Sequence, residues 1–144
     1  MSTRLTKNFT LEELCKSNTA TKLGIKNVPN KTEKDSLTRL AENILQPLRD
    51  HYDEPIKIGS GYRCEKLNKA VGGVANSQHM KGEAADLCID GDKAKGKKWF
   101  DFIRYNLDFD QLIWEHNKKG SYWVHVSYKN GGNRHNVIEN LLKK

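Results

Sequence analysis

Two histidines and an aspartate are the residues of this sequence best suited to chemistry. In SQHMKGEAAD, residues 77–86, His79 and Asp86 stand seven positions apart, with Gly82, Ala84 and Ala85 between them. His125 lies in WVHVS, inside a run of β-forming residues. Taken together, two imidazoles and one carboxylate form a three-ligand set for catalytic zinc, with a fourth position left for water. The small alanines would let the backbone approach the ion. The spacing is not that of the short helical HExxH pattern, so spacing alone does not specify a metal. Taken singly, His125 reads as a hydrogen-bonded core histidine, and His79 as a polar loop residue.

Hydrolysis also needs a base and an anion stabiliser. Glu115 ends the run FDQLIWE, and a hairpin pairing residue 115 with residue 123 would put it on the face of His125. From there it could take a proton from a water at the metal's open position. Arg63 leaves the tight turn SGYR and could hold a substrate carboxylate or a developing oxyanion by paired hydrogen bonds. Gln78, next to His79, could polarise a substrate carbonyl. Each has a plain alternative: a solvated strand-end glutamate, a surface salt bridge, a loop amide. Trp114 and Trp123 read as core or cleft walls. His51, His116 and His135 fall in polar or turn-like surroundings and suggest no site.

The elements that must position these groups can be read along the chain. FTLEELCKS reads as a short helix capped by Thr10, with Glu13 three residues on. SNTATKLG reads as a loop ended by Gly24. Leu37, Leu40, Ala41, Ile44, Leu45 and Leu48 recur at spacings of three and four, an amphipathic helix with Thr32 and Asp35 at its start. Pro47 should kink or end it. Ile56–Ile58 reads as a short strand and CEKLNKAV as a short helix stopped by two glycines. Ala84–Ile89 is a strand, and Asp92 caps a helix carrying Trp99, Phe100 and Ile103. Two strands in FDQLIWE and YWVHVSY follow, joined by HNKKGS, with a closing strand near HNVIE. Helices first and a mainly antiparallel sheet after them make the fold class α+β.

Composition narrows the function. With 144 residues and no low-complexity linker, the chain reads as one domain, residues 1–144, able to bury a core without staples. The three cysteines are too scattered for a zinc ribbon and read as free buried thiols. No run of eighteen apolar residues exists, so no membrane span is expected. The opening residues lack the apolar stretch of a signal peptide, so synthesis in the cytoplasm is expected. A formal charge of +7 suits an anionic partner, either nucleic acid or a wall polymer. The lysines are scattered and not interleaved with aromatics, which argues against a nucleic-acid groove.

The stretch SGYRCEKLNKAVGGVANSQHMKGEAADL, followed by FDQLIWE and WVHVSY, resembles the zinc D-alanyl-D-alanine carboxypeptidases and their peptidoglycan endopeptidase relatives. It is most similar to the small single-domain branch frequent in phages and bacteria, and the likeness runs from about Asn8 to Val137. The resemblance implies one zinc ion on His79, Asp86 and His125, with Arg63 anchoring substrate. It also implies a small, mainly antiparallel sheet with helices on one side and the metal in an open cleft. Many members place an acidic base three residues before the last ligand histidine; here that position is Tyr122, and Glu115 is expected to serve instead. The implied reaction is hydrolysis of a peptide bond in peptidoglycan stem peptides by a monomer. The implied setting is the cell wall, reached after release or as part of a phage lysis system or virion (endolysin-like). The competing expectation is a non-catalytic, zinc-containing wall-binding module on the same fold.

Overall fold

The computed structural model describes residues 3–143. Two short helices open the chain, α1 (Leu11–Cys15) and α2 (Asn18–Leu23). Thr10 caps α1 by accepting the Glu13 amide at 3.2 Å. The segment expected as a loop is helical because Ser17 accepts the Ala20 amide, while Gly24, in the left-handed conformation, closes the other end.

The amphipathic stripe becomes α3 (Lys31–Leu40), a π-helical turn (Ala41–Leu45) and α4 (Gln46–Tyr52). Its start differs from expectation. Asn30, not Thr32, is the cap, and it exchanges hydrogen bonds with Glu33 in a full capping box. Pro47 does not end the helix either. The preceding turn widens so that the Gln46 amide reaches Ala41, and this local π geometry carries the chain past the proline.

Strand β1 (Lys57–Ser60), α5 (Glu65–Ala70), a 3-10 turn (Gln78–Lys81) and β2 (Ala84–Cys88) follow. Helix α6 (Lys93–Asn106) starts at Asp92, which accepts the Lys95 amide, and it buries Trp99, Phe100 and Ile103 on one face. The chain then runs through β3 (Gln111–Asn117), β4 (Tyr122–Ser127) and β5 (Asn136–Lys143).

These strands form one sheet in the order β1-β2-β4-β3-β5. It is mainly but not wholly antiparallel, because β5 returns parallel to β3. A tight hairpin cannot make that connection, and residues 128–135 cross over to make it.

Side chains alternate between the two faces of a strand, and here the faces divide their work. Ala85, Leu87, Leu112, Trp114, Val124 and Val126 point into one hydrophobic core with the helical stripe and α6. Asp86, Glu115, Trp123 and His125 have the opposite parity and stand on the uncovered face. The three cysteines are free but half-buried, less enclosed than expected: Cys15 and Cys64 pack at the margin of the core, and Cys88 has the parity of the uncovered sheet face. Among the described residues, no helix is long and apolar enough to cross a membrane.

Candidate metal centre

His79 is placed by a compact piece of backbone. Ser77 caps the 3-10 turn by accepting the His79 amide at 3.1 Å, and Gly82 closes it at φ +73°. A β-carbon at Gly82 would sit 2.4 Å from the Glu33 carbonyl oxygen of α3, so both the backbone angle and the packing demand glycine. The His79 ring is buried, and its Nδ1 lies 2.7 Å from the Gly61 carbonyl oxygen. A carbonyl only accepts, so Nδ1 carries the hydrogen and Nε2 keeps its lone pair. Gly61 is itself pressed against α1, where a β-carbon would approach the Leu14 oxygen to 2.2 Å.

Asp86 and His125 are direct partners across β2 and β4. His125 Nδ1 lies 2.9 Å from Asp86 Oδ1, and His79 Nε2 lies 3.5 Å from the same oxygen. One potential ligand atom from each of the three residues falls within 4.8 Å of the others. Burial alone would raise the Asp86 carboxyl, but the adjoining His79 and His125 imidazoles outweigh it and hold the group well below the carboxylate range. Ala84 shares the face of Asp86, while Ala85 packs in the core, so only one of the two alanines lies on the side of the group.

The donor set fits a zinc ion. Two imidazoles and an ionised carboxylate converge, one imidazole is fixed in the tautomer that offers Nε2, and a backbone carbonyl holds that tautomer.

The expected hairpin register is present: Glu115 pairs with Trp123, two residues from His125 on the same face. The Trp123 indole Nε1 donates to Glu115 Oε1 at 3.1 Å. Burial, and then the Asp86 charge, push the Glu115 carboxyl above its ordinary value, although His125 and the indole oppose them. Tyr122 stacks on His116 and packs near Trp114.

Arg63 is buried, its amide donates to the His79 carbonyl at 3.0 Å, and its Nη2 makes a long 3.4 Å contact to Ser77 Oγ. Its Nε is buried without a partner. Burial lowers its pKa, against the nearby Asp86 and Glu115 charges.

Gln78 donates its Nε2 to Asp110 at 3.0 Å and to Glu83 at 3.3 Å. Its amide hydrogens are committed, so the polar atom it can offer a ligand is the acceptor Oε1. Donation to a substrate carbonyl, the role expected from sequence, would require these bonds to break.

All six residues line one cleft of about 720 Å³. The cleft also includes Asp110, Arg134 and Lys143, which sequence reasoning missed. Asp110 is fully buried and accepts from the Arg134 side chain at 3.0 and 2.8 Å and from its amide at 3.1 Å. Only the aspartate directly before FDQLIWE's apolar run hinted at it. His135 pairs with Asp108 and stacks on Phe109, away from the metal ligands.

A helix-backed mixed sheet with a two-histidine, one-carboxylate group in its open cleft defines a metallohydrolase type of site. The chain belongs to the peptidase M15 family, whose model matches residues 7–127. A stretch of 35 residues is 51% identical to the zinc D-Ala-D-Ala carboxypeptidase of Streptomyces albus G. That stretch covers 24% of this chain and only 14% of that protein. Family membership and donor chemistry agree on zinc as the cofactor.

Proposed function

We propose that this protein hydrolyses a peptide bond in the stem peptides of peptidoglycan. The observation that carries the reading is the convergence of His79, Asp86 and His125 with Glu115 in one cleft of a peptidase-family chain. Its similarity to a zinc D-Ala-D-Ala carboxypeptidase supports the substrate class.

His79, Asp86 and His125 hold the metal. When bound, zinc supplies Lewis acidity toward a carbonyl oxygen and brings the pKa of water down to about 7. Glu115 takes the proton from the attacking water and passes it to the leaving amine, the work of a carboxylate whose proton affinity is raised. Trp123 holds one oxygen of that carboxylate and leaves the other for the water. Arg63, with its unpartnered Nε, binds substrate carboxylate or oxyanion charge. Gln78 accepts a substrate N–H through Oε1.

The cleft continues past His125 in both directions, toward Lys129 and Arg134 at one end and toward Trp123 and Lys143 at the other. That extension supports cutting an internal bond over trimming a terminal residue. The protein would act at the cell wall, as a lysis or virion component, and the +7 charge would draw it to an acidic polymer.

The test is digestion of purified peptidoglycan with and without chelator, the products identified by mass. New fragments that disappear with chelator and return with zinc support the reading. No new fragments under any metal loading would leave the wall-binding module as the better description.

A further inference from the structure

The C-terminal strand carries an irregularity that decides which of its side chains reach the cleft. Ile113 pairs with Ile138, but the next cleft-facing residue of β3, Glu115, pairs with Leu141. Strand β3 advances two residues while β5 advances three, so β5 holds one extra residue, a β-bulge. Regular alternation would set Asn140 beside Glu115 and Leu142 beside Asn117. The bulge shifts the phase, and Leu141 and Lys143 take those places. Glu139 is turned to the other face, where it pairs with Arg104 of α6.

Ile138, Leu141 and Lys143 accordingly line the cleft next to Glu115 and Trp123. Leu141 is an apolar side chain left 37% exposed there. The ion pairs among the described residues are all made without Lys143. Its charge acts instead on Glu115, from a half-buried position in the wall. The family match ends at residue 127, so this wall is built from chain that follows the matched segment.

An aliphatic strip leading to an unpaired ammonium has the chemistry of a site for a short hydrocarbon stem ending in a negative charge. We propose that Ile138, Leu141 and Lys143 form a substrate subsite for a carboxylate-bearing residue of the peptide. The stem would lie on Ile138 and Leu141 and the carboxylate on Lys143 Nζ. The proposal rests on the peptidase reading for the identity of the ligand as a peptide, but its test does not need turnover.

The experiment titrates isotope-labelled protein, without added metal, with three short peptides of one sequence. The first has a side-chain carboxylate and an amidated C-terminus, the second a side-chain amide and a free C-terminal carboxylate, and the third both groups amidated. Amide resonances of Leu141 and Lys143 report binding. The expected result is roughly fivefold tighter binding of a carboxylate peptide than of the doubly amidated one, the range of a partly exposed charged contact. Which carboxylate carries the preference identifies its source. Lys143→Gln should abolish the preference while leaving the doubly amidated peptide unaffected, and Lys143→Glu should favour an ammonium-bearing peptide instead.

Equal affinity for all three peptides, or a preference that survives in Lys143→Gln, overturns the proposal. Failure of the zinc-loaded protein to digest peptidoglycan would count against the peptidase reading alone and would leave this binding result intact. If turnover is found, Lys143→Gln should raise KM for the carboxylate substrate about fivefold and leave KM for the amidated one in place.

Discussion

Asp110 and Glu115 lie five residues apart around one strand and line the same cleft, yet their surroundings are opposite. Asp110 is saturated: Arg134 grips it with two side-chain nitrogens and its backbone amide, Gln78 adds a fourth donor, and together these outweigh burial and lower its pKa. Glu115 receives one indole hydrogen bond, faces the negative Asp86, and has its pKa raised. A carboxylate with every lone pair engaged is a structural tie, whereas one with spare capacity and raised proton affinity is suited to moving a proton. The comparison separates two acids that look alike in sequence.

The largest effect should come from the metal group that both acids flank. His125→Ala is expected to abolish turnover and to lower zinc content well below that of the wild type, measured by elemental analysis after dialysis. Next is Glu115→Gln, which should cut kcat by roughly 10²–10⁴ while zinc content and thermal midpoint stay near wild type. Equal activity in that variant would erase the distinction drawn between the two acids.

Asp110→Asn should do the reverse, costing about 2 kcal/mol of stability with a much smaller change in kcat. The sign with pH follows from the lowered folded-state pKa of Asp110. Its stabilisation is complete above the unfolded carboxyl value of about 3.9 and fades as pH falls toward the folded value. Denaturation curves of wild type and variant should therefore converge in acid.

The smallest effect concerns the indole. Since Glu115 must be ionised to act, the acid limb of kcat/KM reports its protonation. Trp123→Phe removes a hydrogen bond to the charged form and should move that limb up by about half a pH unit. A limb unmoved in Trp123→Phe would mean that Glu115 is not the group being titrated.

Much of this arrangement was legible before any coordinates. His79 and Asp86 point to a metal only when read together with His125, since each alone has an ordinary reading. The place of Glu115 followed from strand parity, since a hairpin pairing residues 115 and 123 must put it on the face of His125. The α+β class came from the apolar stripe of the long helix and the later β-forming runs.

What stayed hidden depends on contacts distant in sequence. The direction of β5 is set by the crossover through residues 128–135, which carries no turn signature that distinguishes a parallel return. The bulge that turns Leu141 and Lys143 into the cleft is a matter of pairing with β3, invisible in a strand read alone. Asp110 was missed because its partner, Arg134, lies 24 residues away. Gln78 was assigned a donor's role because its two carboxylate partners could not be seen. Pro47, expected to kink or end the helix, does not end it: the preceding turn takes π geometry and the helix continues.

The most direct test of the central claim is zinc-edge anomalous diffraction from crystals of the zinc-loaded protein. The account predicts one strong peak bounded by His79, Asp86 and His125 at ligand distances of about 2.0–2.2 Å, with Glu115 outside the coordination sphere. A peak elsewhere in the cleft, or one that takes Glu115 as a ligand in place of Asp86, would contradict it.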